Sequence, residues 1–122
     1  MNSKQKGKRG ELELAEFLRE HGFTGAARGQ QFKGSPGSPD VVGLPGHHIE
    51  CKRVEALSAY DAYAQACRDC GSGDIPLVCY RKNGKPYHPL PWLAIISLDD
   101  YLLLVRERDT LRHMMEPDDE QS

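Results

Sequence analysis

Two acidic residues and a lysine stand at a spacing suited to metal binding and phosphodiester chemistry. Asp40 follows Pro39, and after nine intervening residues comes the run Glu50-Cys51-Lys52. In a strand, residues i and i+2 share a face, so Glu50 and Lys52 would project together. Mg2+ takes oxygen ligands from carboxylates, waters and substrate phosphates. Asp40 and Glu50 could supply the carboxylates, and Lys52 would contact phosphate or stabilise developing negative charge.

Hydrophobic patterning places these residues in an α/β chain of element order α-β-β-β-α-β-β-α. Helices are predicted where apolar residues recur every three or four positions, and strands in short β-branched or alternating runs. The pattern predicts helices over 10–21, 58–70 and from 97 onward, and strands over 26–33, 40–44, 48–54, 76–81 and 92–96. Asn83-Gly84 is predicted to be a turn. The acids and the lysine therefore lie on a pair of strands that precedes the second helix.

Apolar stripes predict which helix faces meet the sheet. The predicted stripes are Leu14, Phe17 and Leu18 on the first helix, Tyr60, Tyr63, Ala64 and Cys67 on the second, and Leu98, Tyr101, Leu102 and Val105 on the last. Glu11 lies at helical spacing before Ala15 and Leu18, so it could also face inward. Ser58 with Asp61, and Ser97 with Asp100, resemble helix-capping pairs.

Length and composition indicate a single intracellular domain. The 122 residues suffice for one core. The sequence contains no run of 18 apolar residues, so a membrane span is not expected. No apolar segment follows the basic N-terminus, so a secretory signal is not expected. We therefore expect a cytoplasmic location. We predict a flexible basic arm over 1–9, one domain over 10–112 and a disordered acidic tail over 113–122. The four cysteines are expected to be reduced, and Cys67-x-x-Cys70 has no second ligand pair for structural zinc.

Charge is distributed unevenly along the chain. Residues 1–85 carry 13 Lys and Arg against 10 Asp and Glu, whereas residues 86–122 carry 3 against 8. A basic excess around the candidate site suits a phosphate backbone as partner, although an ordinary solvated surface would have the same composition.

These residues in this setting resemble the PD-(D/E)xK nuclease superfamily, and more narrowly its small phage and archaeal Holliday-junction-resolvase-like members. The matching segments are Lys8-Arg9-Gly10-Glu11, Gly22-Phe23, Arg28, the loop 34–38, Pro39-Asp40, Glu50-x-Lys52 and the helix that bears Gln65. The resemblance implies a restriction-endonuclease-like core, a mixed sheet flanked by helices. It also implies hydrolysis of DNA with Mg2+, for which Mn2+ would substitute.

The resemblance also implies a role for each matching residue. Asp40 and Glu50 would be metal ligands, helped by the backbone carbonyl of Cys51. Lys52 would orient or activate the attacking water. Glu11 would complete the site as a further metal or water ligand, and Gln65 matches a helix position close to such sites.

Several polar residues around the site are candidates for contact with DNA phosphates, which position a duplex without reading its sequence. They are Lys8, Arg9, Arg28, Lys33, Ser35, Arg53, Arg81, Lys82 and Lys85. For His47 and His48, a DNA contact or a proton relay is possible, but an edge-strand pair without a role is favoured. Cleavage of a four-way junction needs two cuts, so a homodimer is expected, with no interface located by the sequence. The alternative function is a non-catalytic DNA-binding module with a nuclease fold, in a phage replication or packaging complex.

Overall fold

The computed structural model describes residues 3–29, 37–85 and 87–117. These residues form a mixed five-stranded sheet with three helices, in the predicted element order. The elements are α1 (Ser3–Glu20), β1 (Ala27–Arg28), β2 (Val41–Val42), β3 (His47–Lys52), α2 (Ala59–Asp69), β4 (Ile75–Tyr80), β5 (Leu93–Ile95) and α3 (Leu98–Met115). The predicted α/β class is thereby confirmed.

The strands lie in the sheet in chain order, from β1 to β5. The pairs β1–β2, β2–β3 and β4–β5 are antiparallel, whereas β3 and β4 run parallel. A parallel pair needs a crossover connection, and α2 provides it. Strand β3 is therefore an interior strand, with the crossover helix next to it.

Helices α1 and α2 pack against the sheet through two separate apolar clusters. The cluster around α1 contains Leu14, Ala15, Leu18, Ala26, Val41, Ile49, Leu77 and Cys79. The cluster around α2 contains Ala62, Ala66 and Val78. Because neighbouring strand residues point to opposite faces, Ile49 turns toward the α1 cluster and the side chains of His48, Glu50 and Lys52 share the other face.

The stripe predicted for α2 is right only for Tyr63, which is half-buried and packs against the α2 cluster. The buried residues of α2 are Ala62 and Ala66, whereas Tyr60 is 90% exposed and Ala64 and Cys67 are exposed. Ala62 and Ala66 lie one turn apart and have small side chains, so the helix can approach Val78 closely. The larger side chains of α2 then lie at the sides of this helix–sheet contact. Of the stripe predicted for α3, Leu98, Tyr101 and Leu102 are exposed, whereas Val105 is half-buried.

Helix α1 begins at Ser3, seven residues before the predicted start at Gly10. Residues 3–9, predicted to be an arm, are therefore helical. Gly10 is buried within the helix, and a Cβ there would lie 2.8 Å from Cβ of Arg53. The glycine permits a close approach instead of marking the helix start. At the other end of the chain, α3 continues to Met115, and residues 118–122 of the predicted tail lie outside the described residues.

The strands are mostly shorter than their sequence patterns. Strand β1 includes only Ala27 and Arg28 of the predicted 26–33, of which 30–33 lie outside the described residues. Strand β2 ends at Val42 because Gly43 has φ +101° and lies so close to Ala26 that a Cβ would approach its Cα to 2.4 Å. Asn83 and Gly84 do not join β4 to β5 in a tight hairpin, because β5 starts only at Leu93.

The helix starts agree only in part with the predicted caps. Ser97 accepts a hydrogen bond from the backbone N–H of Asp100 at 3.1 Å, as a capping residue does. Ser58 precedes α2, but its hydroxyl donates to the Asp61 carboxylate and caps no backbone group. Among the described helices, none has the length and apolar character needed to cross a membrane.

Candidate active site

Asp40 is fixed at the start of β2 by hydrogen bonds to both neighbouring strands. Its backbone N–H donates to Ile49 O at 2.9 Å, and its carbonyl accepts from the N–H of Gly29 at 2.8 Å. Its side-chain Oδ2 accepts from the backbone N–H of Cys51 at 2.8 Å. Gly29 makes this possible, because a Cβ there would lie 2.1 Å from the Pro39 carbonyl oxygen. The sheet therefore holds this acid directly against β3.

Asp40 and Glu50 form a carboxyl pair across two strands. Val41 pairs with Ile49 in antiparallel register, which places Asp40 opposite Glu50. Burial raises the pKa of Asp40 to about 6; the N–H of Cys51 opposes this shift, and the charge of Glu50 adds to it. Burial also raises the pKa of Glu50, against a hydrogen bond with Asp40. Two carboxylates so placed favour a shared proton or a bound cation.

His48 completes the surroundings of Glu50. Its Nε2 lies 3.0 Å from Glu50 Oε1, and both side chains are 4% exposed. An ionised carboxylate only accepts hydrogen bonds, so Nε2–H of His48 is then the donor. The favoured prediction of an edge-strand pair is wrong, because β3 is an interior strand and His48 on it contacts Glu50. The signal was present in the sequence, because His48 and Glu50 have the same i, i+2 spacing that relates Glu50 to Lys52.

Lys52 is oriented by the crossover helix. Its Nζ donates to Gln65 Oε1 at 3.0 Å, which brings together the two residues predicted from the strand and from the helix. Burial raises the pKa of both Asp40 and Glu50, and the positive charge of Lys52 opposes that rise. Asp69, near the end of the same helix, acts in the opposite sense on Glu50 and was not predicted as a neighbour.

Glu11 lies near the pair but has a partner of its own. Its Oε2 accepts from Nε of Arg28 at 2.5 Å. Burial raises the pKa of Glu11; the hydrogen bond from Arg28 opposes the shift and the charge of Asp40 adds to it. Glu11 is therefore within electrostatic reach of Asp40, as the prediction of a fourth site residue requires, although Arg28 occupies one of its oxygens.

Seven of the predicted DNA-contacting residues belong to the described part of the chain, and they fall into three groups: paired, stacked and exposed. Arg28 pairs with Glu11, and Arg53 donates to Glu13 at 3.2 Å and to the side chain of Asn83. Arg81 stacks 5.7 Å from the centroid of the Trp92 ring, and its buried Nε has no hydrogen-bond partner among the described residues. The exposed group is Lys8, Arg9, Lys82 and Lys85. Lys33 and Ser35 lie outside the described residues.

The donor set of the carboxyl pair fits a hard dication. Two adjacent carboxylates are the protein ligands that Mg2+ commonly takes, with waters and phosphate oxygens completing its shell. The described residues contain no group of three or more His, Cys, Asp or Glu side chains arranged to hold a metal. The backbone carbonyl of Cys51 stays the further protein ligand that the resemblance implies. The Cys51 thiol is unsuited, since it packs against the α1 cluster and burial raises its pKa.

Comparison with known proteins adds no relative. No protein-family model matches the chain, and neither a curated protein nor a solved structure matches it. The resemblance to nucleases that the sequence motifs suggest therefore stays a prediction.

Proposed function

We propose that this protein is a metal-dependent DNA endonuclease of the PD-(D/E)xK type. The observation that carries the proposal is the pair of half-buried Asp40 and buried Glu50, whose pKa values are both raised, next to Lys52 on the same strand as Glu50. Burying two acids side by side is costly unless a proton or a cation is shared between them. A divalent cation bound between the two carboxylates, as in a cation-dependent active site, would offset this cost.

The topology supports the same proposal. The antiparallel strands β2 and β3 carry the acids and the lysine, and the crossover helix α2 carries Gln65. Helix α1 brings Glu11 to the same end of the sheet, close enough for its charge to affect Glu50. A restriction-endonuclease-like core requires this combination of helix, antiparallel strands and crossover, and we infer that the fold belongs to that class.

Each residue of the site has a role in phosphodiester hydrolysis. Asp40 and Glu50 would hold Mg2+ or Mn2+, with the carbonyl of Cys51 as the further protein ligand. When bound, the metal supplies a water of lowered pKa and neutralises charge on the phosphoryl oxygens. Lys52, kept in place by Gln65, would donate to the attacking water or to a phosphate oxygen. His48 would keep the Glu50 carboxylate in one orientation.

The surface near the site supports DNA as the substrate. Lys82 and Lys85 are exposed in the connection after β4, and Lys8 and Arg9 are exposed on α1. Such lysines and arginines contact phosphates without reading bases. We infer selectivity for DNA shape, such as a branched or four-way junction, rather than for sequence.

A cleavage assay tests this function. Supercoiled, linear and four-way-junction DNA would be incubated with the protein in Mg2+, Mn2+ or EDTA, and products separated on a gel. We expect cleavage with either metal and none in EDTA. Glu50→Gln removes one negative charge at nearly constant volume and should abolish cleavage while leaving DNA binding intact.

The matched control is Glu55→Gln, because Glu55 is exposed and lies outside the site. It should cleave like the parent. Glu50→Gln protein that cut DNA as fast as the parent in Mg2+ would refute the proposal. Binding of DNA without cleavage of any of the three substrates would instead support the non-catalytic DNA-binding module.

A further inference from the structure

The ion pair between Glu11 and Arg28 joins the site acid on α1 to the edge of the sheet. Arg28 lies on β1, the outermost strand of the described sheet. Its Nε is 2.5 Å from Oε2 of Glu11. The next residue, Gly29, donates its backbone N–H to the carbonyl of Asp40. The ion pair therefore stands directly beside one of the two candidate metal ligands.

The two partners differ in how far solvent reaches them. The side chain of Arg28 is 40% exposed, whereas that of Glu11 is 14% exposed. The bond to Glu11 uses one of the five N–H donors of the guanidinium, and no other group among the described residues accepts from this side chain. A molecule with acceptor oxygens can therefore reach Arg28 from solvent, while Glu11 stays mostly covered.

Arg28 also competes with any cation for Glu11. Glu11 lies close enough to Asp40 for the charge of Asp40 to add to the rise in the pKa of Glu11 that burial causes. With Arg28 in place, a fixed positive charge neutralises this carboxylate and occupies Oε2. A divalent cation beside Asp40 would be repelled by that charge and would find one Glu11 oxygen taken.

We propose that Arg28 withholds Glu11 from the metal site until a phosphate of the substrate binds Arg28. The inference rests on the proposed nuclease function and adds to it a coupling between substrate and metal. A guanidinium binds phosphate through a fork of parallel N–H donors, so a DNA phosphate at this edge of the sheet would draw Arg28 away from Glu11. Glu11 would then bind the cation directly or through a water. Arg28 is thus a positioning residue that acts through Glu11.

The exchange of partners requires no unfolding. An ion pair with an exposed partner contributes little to stability, because water competes for its charges. The side chain of Arg28 can turn outward by rotation about its own bonds. Glu11 lies inside α1, which Leu14 and Leu18 hold in the apolar cluster on the sheet. The carboxylate therefore keeps its place while its partner changes.

Calorimetric titration with Mn2+ in the absence of DNA tests the competition. Arg28→Gln removes the competing charge, so it should lower the dissociation constant of Mn2+ about fivefold or more. The control is Arg108→Gln, which breaks the ion pair with Asp109 on α3 and should bind Mn2+ as the parent does. Thermal unfolding checks the fold of each variant. Arg28→Met, of similar length and without charge, repeats the titration if Arg28→Gln does not fold.

A double variant separates the positioning role from a general effect of charge. If Arg28 acts through Glu11, the gain from Arg28→Gln should fall to about twofold or less once Glu11→Gln is present. A long-range effect of the Arg28 charge predicts the opposite, because Arg28 without its acid repels a cation at least as strongly. An equal or larger gain in the Glu11→Gln background would overturn the proposal.

The coupling to substrate is measured from the side of the DNA. Lys52→Ala keeps the carboxylates and should not cleave, so it is the background for fluorescence anisotropy on junction DNA in Mn2+ or EDTA. Coupling is reciprocal, so Mn2+ should tighten DNA binding. Adding Arg28→Gln should reduce that gain about fivefold, since Glu11 is then released with or without DNA. An undiminished gain in the double variant would contradict the coupling.

The nuclease proposal and the role of Arg28 can fail separately, because the Mn2+ titrations need no cleavage. Mn2+ affinities that follow the prediction in a protein that cuts no DNA would support the competition at Glu11 and remove the nuclease function. Cleavage by the parent, with the Mn2+ affinity unchanged in Arg28→Gln, would keep the nuclease function and overturn the role of Arg28.

Discussion

The imidazole of His48 and the carboxylate of Glu50 meet at 3.0 Å, with both side chains almost fully buried. The two residues alternate on β3, so a single strand supplies both a metal-ligand candidate and the group that orients it. Orienting partners of this kind keep a ligand in one conformation and tune its affinity for metal. Glu50 is therefore positioned before any cation binds.

His48→Ala should weaken binding of Mn2+ by about 10-fold to 100-fold, the range found for partners that orient a metal ligand. The physical reason is that the Glu50 oxygen would lose its donor and be left buried and unpaired. Isothermal titration calorimetry with Mn2+ measures the change. His47→Ala is the control, because the ring of His47 bonds to the carbonyl of Pro45 instead. Equal Mn2+ affinity in parent and His48→Ala would contradict the assignment.

Alternation along a strand was enough to predict that Glu50 and Lys52 share a face, and the resemblance to the nuclease family brought Gln65 into the prediction. The contact of Asp40 with the N–H of Cys51 could not be predicted from the sequence, because this contact depends on the register between β2 and β3. A one-residue slip of that register would turn every side chain to the other face. Register is a property of paired strands and cannot be read from either strand alone.

Apolar stripes predicted the contacts of α1 but only a minor part of those of α2 and α3. In α1 the large residues Leu14 and Leu18 are also the buried ones. In α2 the contact with the sheet is made by Ala62 and Ala66, and a ranking by hydrophobic size overlooks alanines. In α3 apolar residues point in several directions, so sequence alone does not distinguish a contact with the sheet from one with another chain.

Stability should fall as the pH rises through the titration of Asp40 when no metal is present. Its pKa is 3.8 in an ordinary setting and about 6 in the folded protein, so between these values the folded state holds more protons than the unfolded state. The contribution is fully present below about pH 4 and lost above about pH 6. Asp40→Asn should remove it and stabilise the protein at neutral pH by on the order of 1–3 kcal/mol.

Urea unfolding in EDTA at acidic and neutral pH measures this effect, with the exposed Asp74→Asn as control. Adding Mg2+ at neutral pH should stabilise the parent and not Asp40→Asn, since only the parent retains both carboxylates. If the parent and Asp40→Asn showed the same pH dependence, the raised pKa of Asp40 would be excluded as its cause.

Gly29→Ala should destabilise the fold and displace Asp40. The new Cβ would lie 2.1 Å from the Pro39 carbonyl oxygen, so β1 and the segment before β2 would have to separate. Overpacking of this kind costs about 1–3 kcal/mol, and here it would also break the bond from Gly29 N–H to Asp40 O. Thermal unfolding gives the stability, and Mn2+ titration gives the state of the site.

The matched control for that change is Gly25→Ala, because nothing lies within 4 Å of a Cβ at Gly25. Its stability and Mn2+ affinity should stay close to those of the parent. Gly29→Ala protein as stable as Gly25→Ala would show that the close approach of these strands is not needed.

Gln65→Ala should slow single-turnover cleavage by about tenfold, because a hydrogen bond to a charged group contributes about 1.5–3 kcal/mol and part of it orients Lys52. Lys52→Ala should reduce the rate far more. If Gln65 acts only through Lys52, adding Gln65→Ala to Lys52→Ala should cause no further loss. An additive loss in the double variant would mean that Gln65 acts on the DNA or water by itself.

Lys82 and Lys85 should contribute to DNA affinity through phosphate contacts. Both are exposed in the connection after β4, whereas Arg53 in the same region is already paired with Glu13. Each phosphate contact releases counterions, so log K falls as log salt rises. Replacing both lysines by alanine should make this negative slope shallower by about 2. Fluorescence anisotropy on junction DNA in the Glu50→Gln background, over a range of salt concentrations, measures the slope without cleavage. Arg108→Ala is the control, since Arg108 pairs with Asp109 on α3. An unchanged slope would assign the two lysines to the solvated surface and direct the search for the DNA path to Lys8 and Arg9.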